Sequence, residues 1–245
     1  MFLSARVLIA VLSLCFTGGL ALAEEASVES QSILDQYVKA TEGQREKLRG
    51  VTMDVNIAAE LPKLQKRGTM IALRTISKVG RITYEALKFE GDNTIKKELI
   101  ARYLSAETEV GSKGAPPITP QYYKFKFKGV NAREGKNVYV FQLSPKKKLP
   151  GTFKGELWLD TETYLPVREQ GQLAKNPSVF IRRFQFERTY EIKDGVAVPK
   201  HTHGVVETRL WGKAEMDVNF SNLQELPSNE TSSLITGSQL ANTPH

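Results

Sequence analysis

From Val51 the chain takes up a rhythm that limits what it can become. Val51, Met53, Val55, Ile57, Ala59 and Leu61 alternate with Thr52, Asp54, Asn56, Ala58 and Glu60. A period of two sends neighbouring side chains to opposite faces of an extended strand, so one face is dry and the other wet. The pattern recurs. Tyr123, Phe125 and Phe127 alternate with Lys124, Lys126 and Lys128, and Ala214, Met216, Val218 and Phe220 oppose Glu215, Asp217 and Asn219. Phe180, Phe184, Phe186, Tyr190 and Ile192 share one face of a long run over 179–192. Further runs fall at 68–77, 81–89, 95–104, 137–143, 152–160, 167–173, 196–201 and 205–211. Turn signals such as Gly91-Asp92-Asn93, Gly135-Lys136-Asn137 and Asp194-Gly195 separate them. Strands this close together, with little helix between, predict an antiparallel meander and not parallel crossovers. Tyr139, Phe141 and Leu143 are expected to line the same interior as the Tyr123 strand. One face is then rich in aromatic and large aliphatic groups, and the sheet must curl around it or cover it.

Before this alternation, residues 30–48 read as a helix. Ile33, Leu34, Tyr37 and Val38 form one stripe, Gly43 weakens it and Gly50 ends it. The three prolines between Gly111 and Pro120 predict an irregular loop, a candidate lid or a plain connector. The tail 227–245 is polar and aperiodic, which predicts disorder.

The first 23 residues carry an address. Arg6 precedes an apolar stretch over 7–16 that is too short to span a bilayer, and Ala21-Leu22-Ala23 supplies small residues for a cut. This pattern predicts an export leader cleaved after Ala23 and chemistry outside the cytoplasm, with no nucleic acid among the partners. The single cysteine, Cys15, lies in the leader, so the mature fold has no disulfides; this favours a bacterial periplasm. After the leader the chain keeps 33 of its 34 Lys+Arg against 27 Asp+Glu. That excess suits an anionic membrane surface or an acidic partner, and equally ordinary solubility. No interior linker or repeat divides the rest, so residues 24–226 are expected to form one domain, and a monomer.

Catalytic chemistry is sparse. The mature chain lacks cysteine and any Gly-x-Ser-x-Gly elbow. His201 and His203 share a side of one strand, with Glu207 further along, and read as polar strand residues rather than a metal site. Asp160 and Glu162 read as turn chemistry. No enzyme activity, cofactor or metal is expected. Six lysines stand out: Lys124, Lys126 and Lys128 on one strand, and Lys146, Lys147 and Lys148 after the next. They are a candidate docking surface, or simply the charges that guard a strand edge.

The segment Gly155-Glu-Leu-Trp158-Leu-Asp160-Thr-Glu-Thr-Tyr-Leu-Pro166-Val-Arg168 resembles the Leu-Trp-Ile-Asp hairpin of the periplasmic lipoprotein-carrier superfamily, the LolA/LolB-like proteins and RseB-like regulators. Asp194-Gly195-Val-Ala-Val-Pro199-Lys200, followed by the alternating strand to Phe220, is similar to that group's closing strands. Residues 91–104 depart from the family's corresponding strand, so 95–104 is a helix or a differently used strand. The resemblance implies a mainly β (α+β) fold: a half-open β-barrel of about eleven strands with an N-terminal helix and few others. It also implies an apolar cavity for acyl chains, a lipoprotein or another hydrophobic ligand, or else a module on the same fold that senses envelope state by docking to a membrane-associated protein. Alternation parity supplies the candidate cavity residues: Met53, Val55, Ile57, Phe125, Phe127, Tyr139, Phe141, Phe184, Phe186, Met216 and Val218.

Overall fold

The computed structural model describes residues 18–113, 116–133, 135–176 and 181–227. Most of the expected leader and nearly all of the expected tail lie outside the described residues, as does Phe180.

Ten strands form one antiparallel sheet. They are β1 (Val51–Leu61), β2 (Lys66–Ile76), β3 (Ile82–Gly91), β4 (Tyr123–Arg133), β5 (Lys136–Pro145), β6 (Phe153–Asp160), β7 (Pro166–Leu173), β8 (Ile181–Lys193), β9 (Val196–Thr208) and β10 (Lys213–Glu225). Their spatial order is β3-β2-β1-β10-β9-β8-β7-β6-β5-β4. Every sequential hairpin pairs with its neighbour, and one long-range ladder, β1 with β10, joins the two ends of the chain: Ile57 faces Val218 and Ala59 faces Met216. β3 and β4 are the free edges. The sheet curls without closing, and the fold is a half-open barrel. Extra residues bend it, among them the irregularities at Phe127/Gly129, Trp158/Leu159 and Thr189/Tyr190.

Among the described residues three α-helices accompany the sheet: α1 (Gly18–Thr41), the short α2 (Gln44–Lys47) and α3 (Ala101–Lys113), the last preceded by a π-helical turn over Ile95–Ile100. The 30–48 helix is therefore broken. Gly43 takes a left-handed φ of 73°, which a glycine accepts without steric cost, and the chain turns there. Gln44 then ties the turn to the sheet, donating to the Gly195 carbonyl at 2.9 Å and accepting from the Ala197 amide at 3.0 Å.

Residues 95–104 are helical, which removes one of the expected strands. Ile95, Leu99, Ile100, Tyr103 and Leu104 recur at helical spacing, and all pack on the same apolar cluster. Asp92 starts the turn by accepting from the Thr94 amide at 2.7 Å. The expected loop from Gly111 to Pro120 is also shortened, because α3 continues through Lys113. Runs 196–201 and 205–211 merge into β9, since Gly204 is accommodated inside the strand opposite Phe186 and Met216.

Candidate functional site

The residue register places all eleven candidate cavity positions on one side of the sheet, the concave side. Ile57 aligns with Val218 and Met70, Phe141 with Phe127 and Leu157, and Phe186 with Gly171 and Gly204. The two roofing segments divide this wall.

Under α3 and the π-turn lies one apolar cluster. Val55, Ile57, Leu61, Met70, Ala72, Met216 and Val218 pack with Ile95 and Ile100. Met53 belongs to a smaller cluster with Val51, Ile76 and Val198 at the end of β1. Under α1 lies a third, where Ile33, Leu34 and Tyr37 cover Tyr123, Phe141, Leu143, Phe153, Leu157 and Leu159. Tyr37 fixes α1 by donating its hydroxyl to the Ile118 carbonyl at 2.9 Å. Met53, Val55, Ile57, Phe141, Met216 and Val218 are thus buried against protein. Phe125, Phe127, Tyr139, Phe184 and Phe186 face the same side but keep part of their surface open. Their rings form two touching series. Phe127 lies 5.2 Å from Phe141, and Tyr139 stacks on Tyr164 at 5.9 Å. Phe186 meets Phe153 edge-on at 5.0 Å and Phe184 at 6.3 Å.

Between the roofed clusters runs a polar belt that alternation alone did not place. Glu169 on β7 faces Arg188 on β8, and Arg188 faces Thr202 on β9. The Arg188 guanidinium donates to the Thr202 hydroxyl at 3.3 Å and lies 3.7 Å from the Glu107 carboxylate on α3. Tyr190 reaches both Glu169 and Arg188. Burial pushes the Glu169 carboxyl above its ordinary value against the pull of Arg188. Burial also works against the charge on Arg188, but Tyr190, Glu107 and Glu169 outweigh it and hold that charge firmly. Burial drives the Tyr190 and Tyr103 hydroxyls up as well. The Tyr84 hydroxyl is raised to about 12 by burial, moderated by Arg74. The signal for this belt was present in the sequence: Arg74, Glu169 and Arg188 occupy dry-face positions of otherwise apolar alternations, among Met70, Ala72 and Ile76 for Arg74 and among Phe184, Phe186 and Tyr190 for Arg188.

The convex side carries the remaining candidates. Lys124, Lys126 and Lys128 are exposed on edge strand β4. Lys146, Lys147 and Lys148 are exposed just past β5, where the Lys146 amide donates to the Tyr122 carbonyl, so the two groups meet at one end of the hairpin. His201 Nε2 and His203 Nδ1 converge on one Asp217 carboxylate oxygen at 2.9 and 3.0 Å. Glu207 instead faces Arg183 at 3.8 Å. Among the described residues no cluster of three histidine, cysteine or acidic side chains is arranged to hold a metal ion. Asp160 accepts from the Glu162 and Thr163 amides and the Thr163 hydroxyl, which is turn chemistry. Next to it, Arg168 lies 4.8 Å from the Trp158 ring and pairs with Glu187. An open hollow of about 470 Å³ beside Glu60, Arg67, Glu90 and Glu215 is lined by none of the candidate cavity residues.

No family model matches the chain. No curated protein matches it either. Solved structures with a similar chain course include a DUF1329 family protein from Desulfovibrio piger, at 12% identity and a TM-score of 0.44, covering 80% of this chain and 92% of that one. A putative outer membrane lipoprotein-sorting protein domain from Vibrio parahaemolyticus is similar at 12% identity and a TM-score of 0.42, over 79% of this chain and 92% of that one. A LolA superfamily protein from Nitrosomonas europaea is similar at 14% identity and a TM-score of 0.38, over 80% and 94%.

Proposed function

We propose that this protein is an exported, periplasmic binding protein that shields an acyl chain, or the acylated end of a lipoprotein, on its concave wall. One observation carries the reading: five large aromatic side chains, Phe125, Phe127, Tyr139, Phe184 and Phe186, face the inside of the curl yet are not sealed by it. A filled core would cover such rings completely. An incompletely covered aromatic wall offers an apolar chain a surface at about 0.8 kcal/mol per methylene removed from water. The buried members of the wall beneath the helices, Val55, Ile57, Phe141, Met216 and Val218, become accessible where α1 or α3 lifts. The belt of Glu169, Arg188 and Tyr190 gives the interior a polar waist, so a guest with a polar head suits it better than a plain hydrocarbon. The leader expected over residues 1–23, and the lack of cysteine after it, favour that location.

The six lysines at the β4–β5 hairpin give the protein a means of docking to an anionic membrane or an acidic membrane-associated protein, where cargo would be taken up or delivered.

Native mass spectrometry and lipid extraction of the protein purified from a periplasmic fraction test the reading. Co-purifying acyl species are expected, and Phe127→Asp with Phe186→Asp should release them while far-UV circular dichroism stays unchanged. An empty protein that binds no acyl chain on titration, but captures a membrane protein, would replace the carrier with an interaction module.

A further inference from the structure

Among the described residues, the interior belt includes a cation that makes no ion pair, Arg74. Arg74, on the concave side of β2, is only 8% exposed. Its Nε donates to the Tyr84 hydroxyl at 3.1 Å, and its Nη1 approaches the Met53 sulfur at 3.8 Å. The guanidinium carbon lies 6.0 Å from the Tyr84 ring centre and 5.9 Å from that of Phe220. A hydroxyl, a thioether and two rings surround it; among the described residues no carboxylate pairs with it. Arg188 differs, since Glu107 and Glu169 both face it. Glu107 pairs with Arg188 at 3.7 Å and makes no ion pair with Arg74. Buried charges are ordinarily paired, because a lone one loses its hydration with nothing in return.

A second group nearby is also unsatisfied. Tyr103, on α3, packs on the same apolar cluster as Tyr84 and Phe220. Its hydroxyl is closed to solvent and has no hydrogen-bond partner. Such orphaned polar atoms are rare in folded proteins, and each calls for a missing partner. The hydroxyl is a donor, and so is every free N–H of Arg74. Both can donate to one acceptor, and the charge on Arg74 favours an anionic one.

We propose that Arg74 and Tyr103 form an internal receptor for an anionic oxygen group, the carboxylate or phosphate head of a bound amphiphile. A guanidinium offers two parallel N–H groups to such a head, and the phenol supplies a further donor from the roof. Met53, Met70, Ala72 and Phe220 pack around it and would part to take the first methylenes. The receptor rests on the acyl-binding reading above, and it adds that the guest is acidic and is held head-inward beneath α3. The π-helical turn over Ile95–Ile100, immediately before Tyr103, is the kind of local irregularity that helices keep at functional positions.

The test uses the purified full chain titrated calorimetrically with dodecanoate, with dodecan-1-ol and with inorganic phosphate. Dodecanoate is expected to bind about tenfold or more tighter than the alcohol, the ratio that hydrogen bonds to a charged group supply. Arg74→Met should abolish that preference and shift the urea midpoint upward, because it removes an unpaired charge from the interior. A purely structural arginine would shift it downward. Tyr103→Phe, which removes a hydroxyl without a partner and leaves the fold intact, should weaken dodecanoate several-fold and leave the alcohol unchanged. Equal affinity for acid and alcohol, or a preference that survives both variants, overturns the proposal while leaving the carrier intact. If neither amphiphile binds, the carrier reading fails and inorganic phosphate decides the site: binding lost in Arg74→Met retains an anion receptor, and no binding removes it.

Discussion

Gly155 sits on β6 opposite Gly171 on β7, inside the hairpin that carries Trp158. A Cβ added to Gly155 would lie 1.9 Å from the Gln170 carbonyl oxygen and 2.5 Å from the Gly171 Cα. Both obstacles are backbone, so no side chain can swing aside. Ordinary contact needs about 3.5 Å, and the two strands would have to part by more than an ångström. That movement stretches the neighbouring ladder hydrogen bonds and disturbs Phe153, which packs in the α1 cluster. Overpacking of this kind costs about 1–3 kcal/mol, and one weakened ladder bond adds about 1 kcal/mol. Gly155→Ala should therefore destabilise by about 3 kcal/mol and lower Tm by roughly 6–12 °C in a chain this size. Gly204→Ala is the control. Its Cβ would meet the Phe184 ring at 3.2 Å and the Met216 carbonyl oxygen at an ordinary 3.8 Å; that ring is half-buried and can turn, so the cost should stay near 1 kcal/mol or below. Urea unfolding followed by far-UV circular dichroism and by Trp fluorescence measures both variants. A Gly155→Ala midpoint within error of the wild type, at unchanged slope, would refute the claim that two backbones meet here.

Two further outcomes follow from the same geometry. Glu169 titrates above its ordinary value in the fold because it is buried, so the folded state holds its proton longer than the unfolded chain does. Wild-type stability relative to Glu169→Gln should therefore decline as pH rises from the ordinary carboxylate value through the raised one, and recover on acidification; urea midpoints of the pair from pH 4 to pH 8 that run parallel would contradict this. Asp160→Ala removes the acceptor of three turn hydrogen bonds at the β6–β7 connection and should cost about 1–2 kcal/mol without altering ligand affinity, read by thermal unfolding and the dodecanoate titration together.

The strands of the concave wall were legible because alternation is local: a residue's parity fixes its face once the strand exists. Hence Phe125, Phe127, Tyr139, Phe141, Phe184, Phe186, Met216 and Val218 could be assigned to one side before any pairing was known. The segment over 95–104 was ambiguous for the opposite reason. Its apolar residues fit either element when read alone, and the surface beneath β1, β2 and β10 made it a roof. The polar belt was half legible: a charge on a dry face was visible in the sequence, but its partner was not, because Glu107 approaches Arg188 from a helix distant in the chain. His201 and His203 likewise shared a side by spacing, while Asp217 came to them from the adjacent strand.

By itself, the order of residues determined the strand-rich composition of the fold and the identity of its greasy face. Periodicity and turn chemistry act over a few residues and need no long-range contact. Only the tertiary structure decided that β1 pairs with β10 while β3 and β4 stay apart, that α1 and α3 roof separate parts of the wall, and that Arg74 is buried against the Tyr84 hydroxyl. Those outcomes depend on which distant surfaces bury one another, and burial is a property of the assembled whole.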